Sequence, residues 1–167
     1  GSQSNVRAAA SCGTPAFGVG AGNVAGIVDE TADVLLAAER IVRSKTFDNA
    51  TSCSSENSLI VVDSVREPML AALQARGAVL LNPAHKALLQ QLMFPDGKLS
   101  AAATGQSARA VAALAGLSDI AALNPRVLIV EEDGFGAEHP FSGEKLIPVL
   151  ALYTARAFEH AMAIVEA

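Results

Sequence analysis

Short continuous apolar runs alternate along this chain with longer stretches in which apolar residues recur at helical spacing. Between Ala32 and about Ser44, the residues Val34, Leu35, Ala38, Ile41 and Val42 share one face, the pattern of an amphipathic helix, and Thr31 stands where its N-cap belongs. Val65 to Arg76 reads the same way, with Asp63 or Ser64 as cap, Pro68 in the first turn and Gly77 as the stop. Asn82-Pro83 opens a helix to about Met93, closed by the turn Phe94-Pro95-Asp96-Gly97. Further helices are predicted from about Ser107 to Ala115 and from Ala155 to Glu166, while Asn5 to Ala10 ends another near Gly13. The runs Leu59 to Val62, Ala78 to Leu81, Val127 to Val130 and Val149 to Tyr153 are apolar and predict buried strands. Pro15 to Val19 and Ala25 to Asp29 read as extended segments around the turn Gly20-Ala21-Gly22-Asn23, and Asp133 to Gly143 reads as an irregular loop. Strands alternating with helices predict an α/β fold with a mostly parallel sheet covered on both faces.

Composition narrows the function classes. The chain has 167 residues, enough for one domain with a sizeable core, and 51% hydrophobic against 17% charged residues suits strands buried on both faces. A net charge of −5, with no cluster of Lys or Arg among aromatics, argues against a nucleic-acid partner. No signal peptide or membrane-length apolar run is visible, and Cys12 and Cys53 form neither a CxxC nor a metal-ligand spacing, so a cytoplasmic, reducing setting is expected, with no membrane partner. Gly1-Ser2 reads as a cloning remnant, which leaves residues 3–167 as the domain.

Candidate chemistry centres on Cys53. The residues around it, Ala50 to Ser58, are nearly all small or hydroxylic, and an apolar strand follows. A thiol on a short polar loop braced by a strand is held accessible in one geometry, as nucleophilic catalysis requires; the alternative is an inert small residue of the core. Cys12 reads as a structural thiol held at a packed helix end, which leaves Cys53 as the more accessible and reactive of the two. Gly18-Val19-Gly20-Ala21-Gly22 resembles the start of a dinucleotide fingerprint, but Asn23 falls where the third glycine belongs and an extended segment follows where a helix is needed. His85, His139 and His160 show no motif relation to Cys53 and read as surface or helix residues. Glu131, Glu132 and Asp133 read as a solvated strand exit without metal-ligand spacing, so no metal is expected. Asn23 reads by default as a turn residue, with orienting backbone or touching substrate as the alternative.

Several spaced motifs together carry a family resemblance. Thr14 to Val24 (TPAFGVGAGNV), Asp29 to Asp33 (DETAD), Ser44 to Asn49 (SKTFDN) before Cys53 and Ser55-Glu56, Thr104 to Ala108 (TGQSA) and Gly143 to Leu150 (GEKLIPVL) occur in one order. This series resembles the catalytic domain of the aldehyde dehydrogenase superfamily, and within it the CoA-acylating branch. The resemblance implies a three-layer αβα domain. It implies that Cys53 is the nucleophile attacking the aldehyde, that Glu144 hydrogen-bonds the ribose of an NAD or NADP cofactor, and that coenzyme A is the cosubstrate. The family usually carries glycine where this chain has Ala50. Hydrolytic members place a glutamate where aligning the turn on Ala21-Gly22 puts Val19, and a valine cannot activate water. The loop Thr51 to Asn57 is similar to that of sulfoacetaldehyde dehydrogenases, with acetaldehyde, propionaldehyde and related short aldehydes left open. The resemblance also implies a homo-oligomeric parent whose cofactor-binding domain lies outside these residues, so the isolated segment is expected to be inactive. Two alternatives stay open at this point: a hydrolytic aldehyde dehydrogenase, and a non-enzymatic thiol or association domain.

Overall fold

A computed structural model describes residues 3–20 and 22–167. Gly1 and Ser2, read above as a cloning remnant, and Ala21 of the glycine turn lie outside the described residues. Among the described residues five strands, β1 (Ala25–Val28), β2 (Ser58–Val62), β3 (Ala78–Leu80), β4 (Val127–Glu131) and β5 (Val149–Ala155), form one sheet in the order β1-β2-β5-β4-β3. Every pairing is parallel, as the alternation of strands and helices predicts.

The strands read as unbroken apolar runs because both faces are covered. On one face Leu59, Val61, Val127, Ile129, Leu150 and Leu152 meet Ile41, Val42, Met69 and Leu73 of α2 (Val34–Thr46) and α3 (Asp63–Gln74). On the other, Ile60, Leu128, Val130, Val149, Ala151 and Tyr153 meet Leu89, Met93, Val111, Ile120 and Ala161 of α4 (Pro83–Met93), α5 (Ala108–Leu114), α6 (Ser118–Ala122) and α7 (Phe158–Glu166). The period of two along each strand therefore sorts its side chains into two cores, giving the three-layer arrangement. An N-terminal helix, α1 (Gln3–Ser11), comes before the sheet in sequence.

Several boundaries differ from the sequence expectations. Asp33, not Thr31, caps α2: its side chain accepts from the Leu36 N–H, while Thr31 is turned back onto Asp29. Helix α3 starts at Asp63 with Val62 at the cap position, so neither Asp63 nor Ser64 caps it and Pro68 lies inside the helix, past the first turn. Pro15 to Val19 forms no strand. Strand β5 runs on to Ala155 and α7 begins only at Phe158, because Thr154 and Ala155 stay in register with Val61 and Val62 of β2. The five-residue α6 has too few turns to show a helical period. Asn82, by contrast, caps α4 through the His85 N–H with Pro83 at the first position, and Ser107 caps α5.

Strands β2 and β5 are neighbours, with Ser58 opposite Ala151. The loops that lead into them therefore meet at the amino edge of the sheet, and these are the loops of Cys53 and Glu144.

Candidate active site

The chain enters the Cys53 loop through an unusual backbone. After α2, the turn Phe47–Ala50 holds three consecutive non-glycine residues in the left-handed region, Asp48 at φ 46°, Asn49 at 51° and Ala50 at 60°. Asp and Asn tolerate that region through local side-chain hydrogen bonds, whereas for alanine it costs about 1–2 kcal/mol. Local bonds hold the turn: Thr51 Oγ1 lies 2.6 Å from Asp48 Oδ2 and 2.9 Å from Asp48 O, and Asn49 Nδ2 donates to the Gly105 carbonyl at 2.9 Å. The Ser52 and Ser54 hydroxyls, 2.8 Å apart, bridge the positions on either side of Cys53, whose side chain is exposed. Gly22 of the glycine turn lies against the Cys53 carbonyl. Cys12 is also exposed, with Sγ 3.0 Å from the Ala9 carbonyl, which corrects the expectation of a thiol held at a packed helix end; exposure does not separate the two cysteines.

Glu144 is half-buried beside a cleft of about 300 Å³ lined also by Phe94, Leu99, Pro140 and Ser142. The residues around it are fixed from several sides. Lys145, fully buried, donates Nζ–H to the carbonyls of Phe141 at 2.6 Å and Gly143 at 3.0 Å. Its backbone N–H donates to Asn57 Oδ1 at 3.0 Å, and Asn23 Nδ2 donates to the Ser142 carbonyl at 2.8 Å. Asn23 thus does more than serve a turn: it ties the glycine segment to the Glu144 loop.

Two buried lysines set the electrostatics behind these loops. Burial pushes the Lys45 ammonium down to about 8, with the Glu56 carboxylate opposing. Burial, and then the like charge of Lys45, hold Lys145 well below the ordinary lysine range, with Glu132 opposing. Glu56 Oε2 is buried without a hydrogen-bond partner, so Lys45 balances it by charge alone. In the unfolded chain a lysine titrates near its usual value of about 10.4. Between about pH 8 and 10 the unfolded state then holds more protons than the folded one, so stability rises with pH across that window. Below about pH 8 the cost of the buried charge is present in full. Urea unfolding should show this rise, and Lys45→Met should reduce it, leaving the share that Lys145 contributes in the same direction; a fall between pH 8 and 10 in the unmodified chain would contradict the assignment.

The carboxyl edge of the sheet corrects another expectation. Glu132 is not solvated: its side chain is buried, with Oε1 2.8 Å from Lys86 Nζ and Oε2 3.0 Å from His139 Nδ1. Desolvation of a lone carboxylate would be costly, and these two partners offset it. His139 is therefore a partner of a buried acid, and Asp133 stands 3.7 Å from the same ring nitrogen. The metal-binding atoms of Glu132, Asp133 and His139 come within 4.8 Å of one another, a proximity the sequence spacing did not show, but both Glu132 oxygens are already engaged. His85 faces Asp119 at 3.5 Å, and His160 Nδ1 accepts from the Arg156 N–H. Among the described residues no helix is long and apolar enough to cross a membrane.

The site combines an exposed thiol on a strained, bonded turn with a half-buried carboxylate on the adjoining loop. Sequence reasoning missed Lys45, Lys145, Asn49 and Asn57; a buried lysine looks like any surface lysine until the fold covers it.

No family model matches the chain. Among solved structures, an acetylating aldehyde dehydrogenase from Geobacillus thermoglucosidasius superposes with a TM-score of 0.92 at 38% identity, over 98% of this chain and 36% of that one. A propionaldehyde dehydrogenase from Rhodopseudomonas palustris, solved with bound CoA and an acylated cysteine, gives 0.84 at 27% identity, over 98% of this chain and 37% of that one. The α/β fold is thus one shared with acylating aldehyde dehydrogenases. At the level of sequence, an acylating sulfoacetaldehyde dehydrogenase of Cupriavidus necator is 62% identical over 162 residues, 97% of this chain and 33% of the relative. The homologues of this chain are acylating aldehyde dehydrogenases, as the motif series implies, and the chain spans about a third of the length of the Cupriavidus necator relative.

Proposed function

We propose that residues 3–167 are the catalytic domain of a CoA-acylating aldehyde dehydrogenase, with Cys53 as nucleophile and Glu144 as a ligand of the cofactor ribose. The observation that carries the reading is the placement of an exposed thiol, on a turn fixed by side-chain hydrogen bonds, at the same sheet edge as the loop of Glu144. The Cys53 thiolate adds to the aldehyde carbonyl, forming a C–S bond and an alkoxide. Collapse of the alkoxide expels hydride from the same carbon and leaves a thioester on Cys53. A bound NAD or NADP supplies the hydride acceptor, and the half-buried Glu144 carboxylate suits a pair of ribose hydroxyls because it accepts hydrogen bonds and donates none. The CoA thiolate then attacks the thioester carbonyl, acyl-CoA leaves, and Cys53 returns to the thiolate. The aldehyde is short, and the similarity of the Thr51 to Asn57 loop and the Cupriavidus necator relative favours a sulfonated one.

Val19 favours transfer to CoA over hydrolysis, because a valine cannot accept the proton of an attacking water. The same reading takes the full-length protein as a cytoplasmic homo-oligomer without a nucleic-acid or membrane partner; the net charge of −5 on these 167 residues argues against nucleic acid. Sustained turnover by the full-length protein should require CoA and give acyl-CoA; without CoA, about one equivalent of reduced cofactor should form per site before the enzyme stalls. Single-turnover absorbance with and without CoA tests this. Steady free-acid production without CoA at a comparable rate would overturn it.

A further inference from the structure

The bonds between the Cys53 loop and the Glu144 loop fall at matched places on either side of the cysteine. Four residues before it, Asn49 Nδ2 donates to the Gly105 carbonyl at 2.9 Å, and the Gly105 N–H donates to the Leu146 carbonyl at 3.0 Å. Four residues after it, Asn57 Oδ1 accepts from the Lys145 N–H at 3.0 Å. The two residues that directly follow Glu144 are therefore each tied to one flank of the nucleophile's loop.

The anchors are rigid. Asn57 is 3% exposed, and its own backbone is bonded on both sides, its N–H to the Val24 carbonyl at 2.8 Å and its carbonyl to the Ala151 N–H at 3.0 Å. Gly105 sits at φ 72°, and a Cβ there would come 3.3 Å from Thr51 Cγ2, so a side chain would be both strained and crowded. Leu146 is held at φ 50°, a region that a leucine leaves unless its surroundings fix it. Two tethers that converge from opposite flanks fix the relative placement of the loops.

We infer that Asn49 and Asn57 are positioning residues that hold the backbone of Glu144 in register with Cys53, and so set the cofactor ribose against the thiol; the inference rests on the roles proposed above for those two residues. Asn49→Gly keeps the left-handed backbone and deletes the donor. Asn57→Leu deletes the acceptor at similar volume, and Asn57→Asp keeps it. In the full-length protein, Asn49→Gly and Asn57→Leu should each raise the KM for the nicotinamide cofactor about tenfold, while the aldehyde KM and the cofactor-free rate of Cys53 alkylation change by a clearly smaller factor. Asn57→Asp should bring the cofactor KM back toward the parent value. A cofactor KM unchanged within about twofold in both deletion variants overturns the inference, and so does an equal change in alkylation rate and aldehyde KM, which marks general loss of the loop. If Asn57→Leu does not fold, Asn49→Gly decides the matter by the same criteria. Glu144→Gln separates the two levels. If it leaves the cofactor KM unchanged, the role of Glu144 fails and this inference with it; if it raises that KM and the asparagine variants do not, only the inference fails.

Discussion

Cys53→Ala in the full-length protein is expected to lose aldehyde oxidation by at least about a thousandfold, including the first equivalent of reduced cofactor. The reason is the order of bond changes. An aldehyde carbon gives up hydride readily only after a nucleophile has made it tetrahedral and anionic, and Cys53 supplies that nucleophile. An alanine leaves the loop intact, since neither Asn49, Thr51, Ser52 nor Ser54 uses the sulfur in its hydrogen bonds. Loss of activity would thus report missing chemistry with the fold retained, which a matched thermal melt verifies. Cys12→Ala, 41 positions away in sequence, should retain turnover within about twofold if Cys53 alone is the nucleophile. A Cys53→Ala variant that still gives the burst would remove the thiol from the mechanism.

Ala50→Val should lower stability by about 3 kcal/mol, while Ala50→Gly should stay within about 1 kcal/mol of the parent. Ala50 combines φ 60° with 1% exposure, so a valine there meets two penalties. Left-handed backbone is least tolerated by a β-branched residue, and two added methyl groups overfill a closed space. Glycine removes the left-handed penalty but gives up a buried methyl and adds freedom to the unfolded chain, and these effects nearly cancel. Urea unfolding of both variants checks the pair. A valine tolerated within about 1 kcal/mol would mean that the turn relaxes out of the left-handed region and that the strained entry to Cys53 is not required.

The glycine expected at position 50 from the family pattern was therefore a backbone signal, legible in the sequence as a departure though its geometry was not. The sheet was legible because β2, β4 and β5 are short unbroken apolar runs, as strands covered on both faces display. A cap was legible where the side chain has one option, as at Asn82-Pro83, and not where Thr31 and Asp33 compete for the same role. Position in sequence misled at Glu132, which follows the exposed Glu131 at the strand exit yet turns inward to Lys86 and His139. It misled again at Cys12, where a helix end was taken for a packed one. The partners of Asn49 and Asn57 lie 56 and 88 residues away, beyond any local pattern, so the bonds that join the two loops emerge only once β2 and β5 are seen as neighbours.

The central claim is that Cys53 carries the acyl group. Full-length protein incubated with a short aldehyde and oxidised cofactor in the absence of CoA, then acid-quenched, digested and mapped by mass spectrometry, tests it most directly. The account predicts an acyl adduct on the peptide containing Cys53, discharged on addition of CoA with formation of acyl-CoA. An adduct on Cys12, or steady turnover with no adduct on Cys53 at any time, would contradict it.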